Sequence, residues 1–206
     1  MEHDVDQFID ISGALDADLR EMLGALRFPR DARGAATIRV CEVAMQHGTS
    51  QRLLLVAGLH LTAMALVRLH YESVVRALWM QVGAKEDWIQ KFAGPIPEGQ
   101  LSEPVLGPPV DAMLDRLAVV LPPWIASELR RLKDASWLPM NSYVHAGVRA
   151  AAHSMIALPP DKIGAVLKNA NALAITNAQT YLLACNDPAS AGRLSAIQTR
   201  HRGCLP

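Results

Sequence analysis

The positions of hydrophobic residues along the chain predict a protein built from helices. Near the N-terminus, apolar side chains recur at intervals of three and four, from Val5 and Phe8 to Leu23 and Leu26, which is the period of an amphipathic α-helix. The chain has no sustained alternation of apolar and polar residues and no Asn-Gly or Asp-Gly hairpin turn, so we expect no strands. The prediction is an all-α, single-domain bundle of about seven to nine helices over residues 1–206.

Residues that break helices divide this pattern into segments. The stretch 94–109 holds five prolines and three glycines, so we predict a long internal loop there. We expect residues 189–206 to form a short helical turn and then fray. The predicted helices cover residues 4–26, 32–47, 51–82, 84–92, 110–120, 123–136, 139–157 and 161–185.

The predicted helix over 51–82 is apolar nearly all round, which is typical of a helix surrounded by others. It carries one row of charges, because Arg68, Glu72 and Arg76 follow one another at intervals of four. Removing a charge from water costs several kcal/mol unless the charge is paired. We therefore expect another helix to supply partners for this row.

The predicted helix over 139–157 offers such partners. Asn141, His145 and Arg149 again lie four residues apart, and Tyr143 is close to them in the sequence. Residues with this spacing share one face of a helix, so the two polar rows can pack against each other. We expect the packing to bring His145 close to the charged row of the central helix.

This constellation has two interpretations. In the functional one, His145 is a catalytic acid or base tuned by Glu72, since histidine titrates near neutral pH. The other residues of the constellation would then bind an anion such as a phosphate or carboxylate. These residues are Arg68, Arg76, Asn141, Tyr143 and Arg149. In the structural one, the same groups form an internal network that fixes the register of the helices.

The charge balance argues against a general nucleic-acid surface. Lysine plus arginine and aspartate plus glutamate number 20 each, so the net charge is zero and we expect no broad nonspecific DNA binding. Hydrophobic residues make up 50% of the chain and charged residues 19%, from which we expect a homodimer.

The cysteines, the longest apolar run and the motifs indicate the cellular compartment, the membrane partners and the cofactors to expect. Three widely spaced cysteines without a CxxC pair indicate a reducing compartment, so we expect a cytoplasmic protein. The most apolar run, residues 53–67, is shorter than the roughly 20 residues of a membrane span, and we expect no membrane partner. No histidine has a metal-ligand spacing and no phosphate-binding glycine loop occurs, so we expect no metal and no cofactor.

Two motifs carry a resemblance. The stretch from Arg68 to Trp79 has the pattern Arg-x-x-x-Glu-x-x-x-Arg-x-x-Trp, and the stretch from Asn141 to Gly147 contains His-x-Gly. Together they resemble an uncharacterised bacterial family of all-helical proteins, over residues 30–185. More distantly, the arrangement is similar to HEPN-like helical domains, many of which are dimeric ribonucleases of toxin or phage-defence systems.

The HEPN resemblance implies a helical fold, and it implies RNA as a substrate and a homodimer as the working form. The usual HEPN signature is an arginine followed, after four to six residues, by a histidine. This chain departs from it, because Arg149 precedes His153 with three residues between them. Whether the chain is an enzyme is therefore left open.

Three hypotheses about function follow. The first is a HEPN-like nuclease or nucleotide-handling enzyme of a defence system that uses His145. The second is a non-catalytic protein that binds a small molecule or an anion in the same pocket. The third is a helical scaffold or protein-interaction module in which the polar cluster is purely structural. The third hypothesis predicts an exposed apolar surface elsewhere, for example around Trp88 and the loop 94–109.

Overall fold

The computed structural model describes residues 2–95, 98–99, 107–156 and 158–206, without the side chains of residues 2–4. These ranges contain nine α-helices, two short 3-10 helices and no strand, which confirms the predicted all-α fold. The helices are α1 (Glu2–Gly24), α2 (Ala32–Val56), α3 (His60–Val82), α4 (Glu86–Ala93), α5 (Val110–Val120), α6 (Pro123–Val144), α7 (Val148–His153), α8 (Pro160–Cys185) and α9 (Ala191–Arg200).

The centre of the fold is α3, as its apolar pattern predicted. It packs against α2, α5, α6 and α8, so it is enclosed along most of its length. Val74, Val75, Ala77 and Met80 have no exposed surface, and Tyr71 is 2% exposed. Any polar side chain on this helix therefore needs a partner inside the protein or a place at its edge.

The predicted boundary between the second and third helices is wrong. Helix α2 does not end at Gly48 but continues to Val56, and the chain turns at Gly58, whose φ is +72°. A side chain at Gly48 would place its Cβ 3.0 Å from the ring of His70. This glycine therefore serves the close packing of α2 on α3 and does not stop a helix.

The predicted break before Pro139 is also wrong, because α6 runs through this proline. Proline lacks the N–H that would bond to the carbonyl of Ala135, so the helix loses one hydrogen bond there. The neighbouring Met140 is 8% exposed and packs with the core, and this burial favours continuing the helix.

The segment 139–157 is consequently not one helix. His145 lies at the C-terminal cap of α6, and Ala146 has a φ of 51°, which no helix accommodates. A new short helix, α7, begins at Val148. The expected row of Asn141, His145 and Arg149 on one helical face is therefore interrupted after Asn141.

The C-terminal end does not fray as predicted. Helix α9 buries Leu194 and Ile197 against α1 and α8, and Cys204 has no exposed surface. The amide of Asn171 donates to the carbonyl oxygen of Cys204 at 2.9 Å, which ties the end of the chain to α8.

The predicted loop 94–109 lies largely outside the described residues. Those of its residues that the structure describes, 94–95, 98–99 and 107–109, are not helical. The single-domain organisation stays a prediction.

A buried histidine links α2 to α3. His70 is 1% exposed, and its Nδ1 lies 3.0 Å from Oε1 of Gln51. The amide group of Gln51 also donates to the carbonyl oxygen of Ala63 at 3.3 Å. Burial lowers the pKa of His70 to about 3, because the charged imidazolium would lose its hydration.

The buried His70 predicts a loss of stability in mild acid. The unfolded chain takes up a proton at the ordinary histidine pKa of about 6.5, whereas the folded chain does not until about pH 3. The contribution of neutral His70 to the free energy of unfolding is complete above the pKa that the histidine has in the unfolded chain. It is lost as the pH falls, by about 2 kcal/mol between pH 7.5 and pH 5.

Urea unfolding at several pH values measures this effect. We expect His70→Gln to reduce the loss of unfolding free energy between pH 7.5 and pH 5 by about 2 kcal/mol, and His145→Gln, at an exposed position, to leave it unchanged. The same pH dependence in the wild type and in His70→Gln would contradict a neutral, buried His70.

Candidate functional site

The two predicted polar rows meet in part, where α3 packs against α6. The Nε of Arg68 donates to Oε1 of Glu72 at 2.7 Å, within α3. Its Nη1 donates to Oδ1 of Asn141, which lies near the end of α6. Arg68 is therefore the residue that connects the row on α3 with α6.

The row on α6 that faces α3 consists of Lys133, Trp137 and Asn141, again at intervals of four. The guanidinium carbon of Arg68 lies 4.4 Å from the centroid of the Trp137 ring, and the Lys133 ammonium lies 5.3 Å from it. Lys133 also forms an ion pair with Asp111 of α5 at 2.8 Å. We call the surface formed by this row and by Arg68 and Glu72 the α3–α6 surface.

The direction of packing explains which row is used. Tyr71, one turn after Arg68, donates its hydroxyl to the carbonyl oxygen of Leu129 at 2.8 Å. Moving forward along α3 thus means moving backward along α6, so the helices are antiparallel. The partners of α3 after Asn141 accordingly lie toward Trp137 and not toward His145.

The guanidinium of Arg68 lies at the edge of the core, with 24% of its side chain exposed, and Glu72 is 27% exposed. Two of its nitrogens are bonded, to Glu72 and Asn141, and one face covers Trp137. Its third nitrogen, Nη2, has no hydrogen-bond partner among the described residues. One nitrogen of a firmly held guanidinium is therefore available for a further hydrogen bond.

His145 and Arg149 lie outside this contact. Both are exposed, and in the described part of the chain neither side chain forms a hydrogen bond or ion pair with Glu72. The backbone N–H of His145 donates to the carbonyl oxygen of Asn141 at 3.0 Å and ends α6, and that of Arg149 donates to Ser142 Oγ at 2.9 Å. The pairing of His145 with Glu72 stays a prediction.

Tyr143 has a different partner from the one expected. Its hydroxyl lies 2.6 Å from Nδ1 of His153, so it connects α6 to α7. Burial raises the pKa of Tyr143, which keeps the phenol protonated at neutral pH. The hydroxyl of a phenol both donates and accepts, so the tautomer of His153 sets the direction of this hydrogen bond.

Arg76 points away from Asn141, toward the residues that precede α5. A Cβ added at Gly107 would lie 2.6 Å from Nη1 of Arg76 and 3.0 Å from the ring of Trp88. Gly107 also has a φ of +72°, so a larger residue there would be strained. Arg76 therefore extends the positive row toward Trp88.

Sequence reasoning missed Lys133 and Trp137. Lys133 lies eight and Trp137 four residues before Asn141, on the same helix face, and this spacing was the available signal. It was hidden because Pro139 was interpreted as the start of a new helix.

In the described ranges, no group of three or more histidine, cysteine, aspartate or glutamate side chains is placed to hold a metal ion. Among the same residues, no helix has both the length and the apolar character needed to cross a membrane.

Comparison with known proteins identifies the family. Residues 41–206 match the model of a family of unknown function, DUF6988, and the chain belongs to this family. No curated protein and no solved structure matches the chain significantly.

The geometry predicts that substitutions at Asn141 and His145, two positions of the row expected from the sequence, change the free energy of unfolding by different amounts. Asn141→Ala removes the acceptor of Arg68 and should lower the free energy of unfolding by about 1–2 kcal/mol. His145→Ala, at the exposed end of α6, should change it by less than about 0.5 kcal/mol. Urea unfolding at pH 7.5 measures both, and an equal or larger loss for His145→Ala would contradict this placement.

Proposed function

We propose that this DUF6988 protein binds an anionic group, a phosphate or a carboxylate, on the α3–α6 surface, with Arg68 as the main contact. The supporting observation is the guanidinium itself, which Glu72, Asn141 and Trp137 hold in place while its Nη2 has no hydrogen-bond partner among the described residues. A guanidinium fixed in this way loses little side-chain entropy on binding an oxyanion.

Two cations of the α3–α6 surface contact the same ring. Arg68 and Lys133 both lie over Trp137, and Glu72 and Asp111 are their carboxylate partners. Each carboxylate is bonded to one cation and keeps that side chain in position. A ligand with two or more oxygens can bind Arg68 while it also attracts Lys133 across the Trp137 ring.

A finer form of the proposal is a HEPN-like nuclease of a bacterial toxin or defence system. RNA would place a phosphate at Arg68, and His145, four residues after Asn141, would act as acid or base on the neighbouring nucleotide. Glu72 would then orient Arg68 and influence His145 only through the bound ligand. The exposure of His145 supports access by a large substrate.

A second candidate function is a helical interaction module whose polar cluster is purely structural. The favouring observation is the exposure of apolar side chains on α6 and near α7, with Leu138 78%, Val148 86% and Met155 87% exposed. A cytoplasmic homodimer remains part of the proposal, and the low fraction of charged residues supports it.

The anion-binding proposal predicts the effect of neutralising one arginine. Arg68→Gln should weaken the binding of inorganic phosphate about tenfold or more, because a charge-assisted contact contributes about 1.5–3 kcal/mol. Arg131→Gln is the matched control, since Arg131 is 71% exposed on α6 and pairs only with Glu128 within the described chain. Isothermal titration at low salt measures both, and equal weakening would contradict the proposal.

The nuclease form has its own test. Purified wild-type protein should cleave a short single-stranded RNA, His145→Ala should abolish cleavage and still bind the RNA, and Arg68→Gln should weaken binding. If the wild type does not cleave, or if His145→Ala cleaves equally well, the nuclease form is wrong while phosphate binding is tested separately.

A further inference from the structure

A groove opens at one end of the bundle, apart from the contact of Arg68 with Asn141. It lies where α1, α8 and the turn between α2 and α3 come together, and its volume is about 620 Å³. Its walls are mainly apolar, with Ile9, Val56 and Leu158 among them. A groove of this size lies within the range of sites that bind ligands or the anchoring side chains of a peptide.

Further apolar side chains are exposed around this groove. Val56 and Leu59, at the turn between α2 and α3, are 62% and 55% exposed, and Ile156 is 61% exposed. Ile156 belongs to the same end of the molecule, because it lines a small pocket together with His60 and Leu158, which both also line the groove. Exposed apolar residues that surround an apolar groove are typical of an interaction surface.

The charge on the groove is negative. Among the described residues its only charged lining side chains are Asp6 and Asp10, which lie one turn apart on α1 and are exposed. Neither forms an ion pair with another described residue. Two unpaired carboxylates beside an apolar groove complement a partner that carries apolar and basic groups together.

We infer that this groove binds an amphipathic helix of a partner protein, with an apolar stripe flanked by lysine or arginine. The apolar stripe would enter between Ile9, Val56 and Leu158, and the basic flank would face Asp6 and Asp10. A second copy of this chain is a poorer occupant, because a two-fold contact brings both acidic rims to the same interface. An anionic membrane is poorer for the same electrostatic reason.

A synthetic helical peptide of leucine and lysine tests this inference in a fluorescence anisotropy titration of the full chain. We expect the peptide to bind, and a peptide with glutamate in place of lysine, or with the same residues in a scrambled order, to bind at least about fivefold more weakly. The double variant Asp6→Asn/Asp10→Asn should lose about fivefold in affinity, since each exposed ion pair contributes up to about 1 kcal/mol.

Two further variants make the test specific. Val56→Asp should weaken binding, whereas Asp134→Asn, which removes an exposed carboxylate from α6, should not change it. Equal binding of the acidic or scrambled peptide would overturn the inference. Two other results would also overturn it. One is a dimer in light scattering that Val56→Asp abolishes, and the other is binding to phosphatidylserine vesicles that the same variant abolishes. Phosphate binding by Arg68 does not enter any of these measurements.

Discussion

The rest of the fold depends on the burial of α3. A helix that is apolar nearly all round must be covered on every side, so each polar group that it carries has to find a partner within the protein. His70 meets Gln51 of α2, the hydroxyl of Tyr71 meets the backbone of α6, and Arg68 meets Asn141 of α6. These contacts fix α2 and α6 relative to the central helix, and the apolar core fills the space between them.

The candidate site follows from the same constraint at its margin. The charge of Arg68 on α3 is partly buried and partly exposed to water. Glu72, Asn141 and Trp137 hold its side chain in this position. A half-buried, paired arginine contributes to helix register and also keeps one edge available to a ligand. The structural and functional interpretations of the cluster are therefore not exclusive, because the contacts that stabilise the helices also orient the guanidinium.

The sequence allowed some of this to be predicted, for a physical reason. Periodicity reports the burial of whole helix faces, so the helical class, the limits of α5 and the enclosed nature of α3 were accessible. Gly48 and Pro139 were misinterpreted because local propensity is weak compared with tertiary packing. Gly48 gives His70 room, and the burial of Met140 outweighs the hydrogen bond that Pro139 removes.

The error at Pro139 then affected the site. It separated Asn141 from Trp137 and Lys133, with which Asn141 shares the face that meets α3. A second error, the helix predicted through Ala146, placed His145 and Arg149 on the face of Asn141, although α6 ends before Ala146. The charged row on α3 was found because its spacing is uninterrupted. The residues of α6 that contact this row can be predicted only when α6 is known to be continuous and antiparallel to α3. A single sequence does not provide this knowledge.

The contact between Arg68 and Asn141 is the central claim, and a double-mutant cycle measures it most directly. Unfolding free energies of the wild type, Arg68→Leu, Asn141→Ala and the double variant give the coupling between the two side chains. The account predicts a favourable coupling of about 1 kcal/mol or more, as for a hydrogen bond to a charged group. Strictly additive effects would show that the polar rows of α3 and α6 do not meet through these residues.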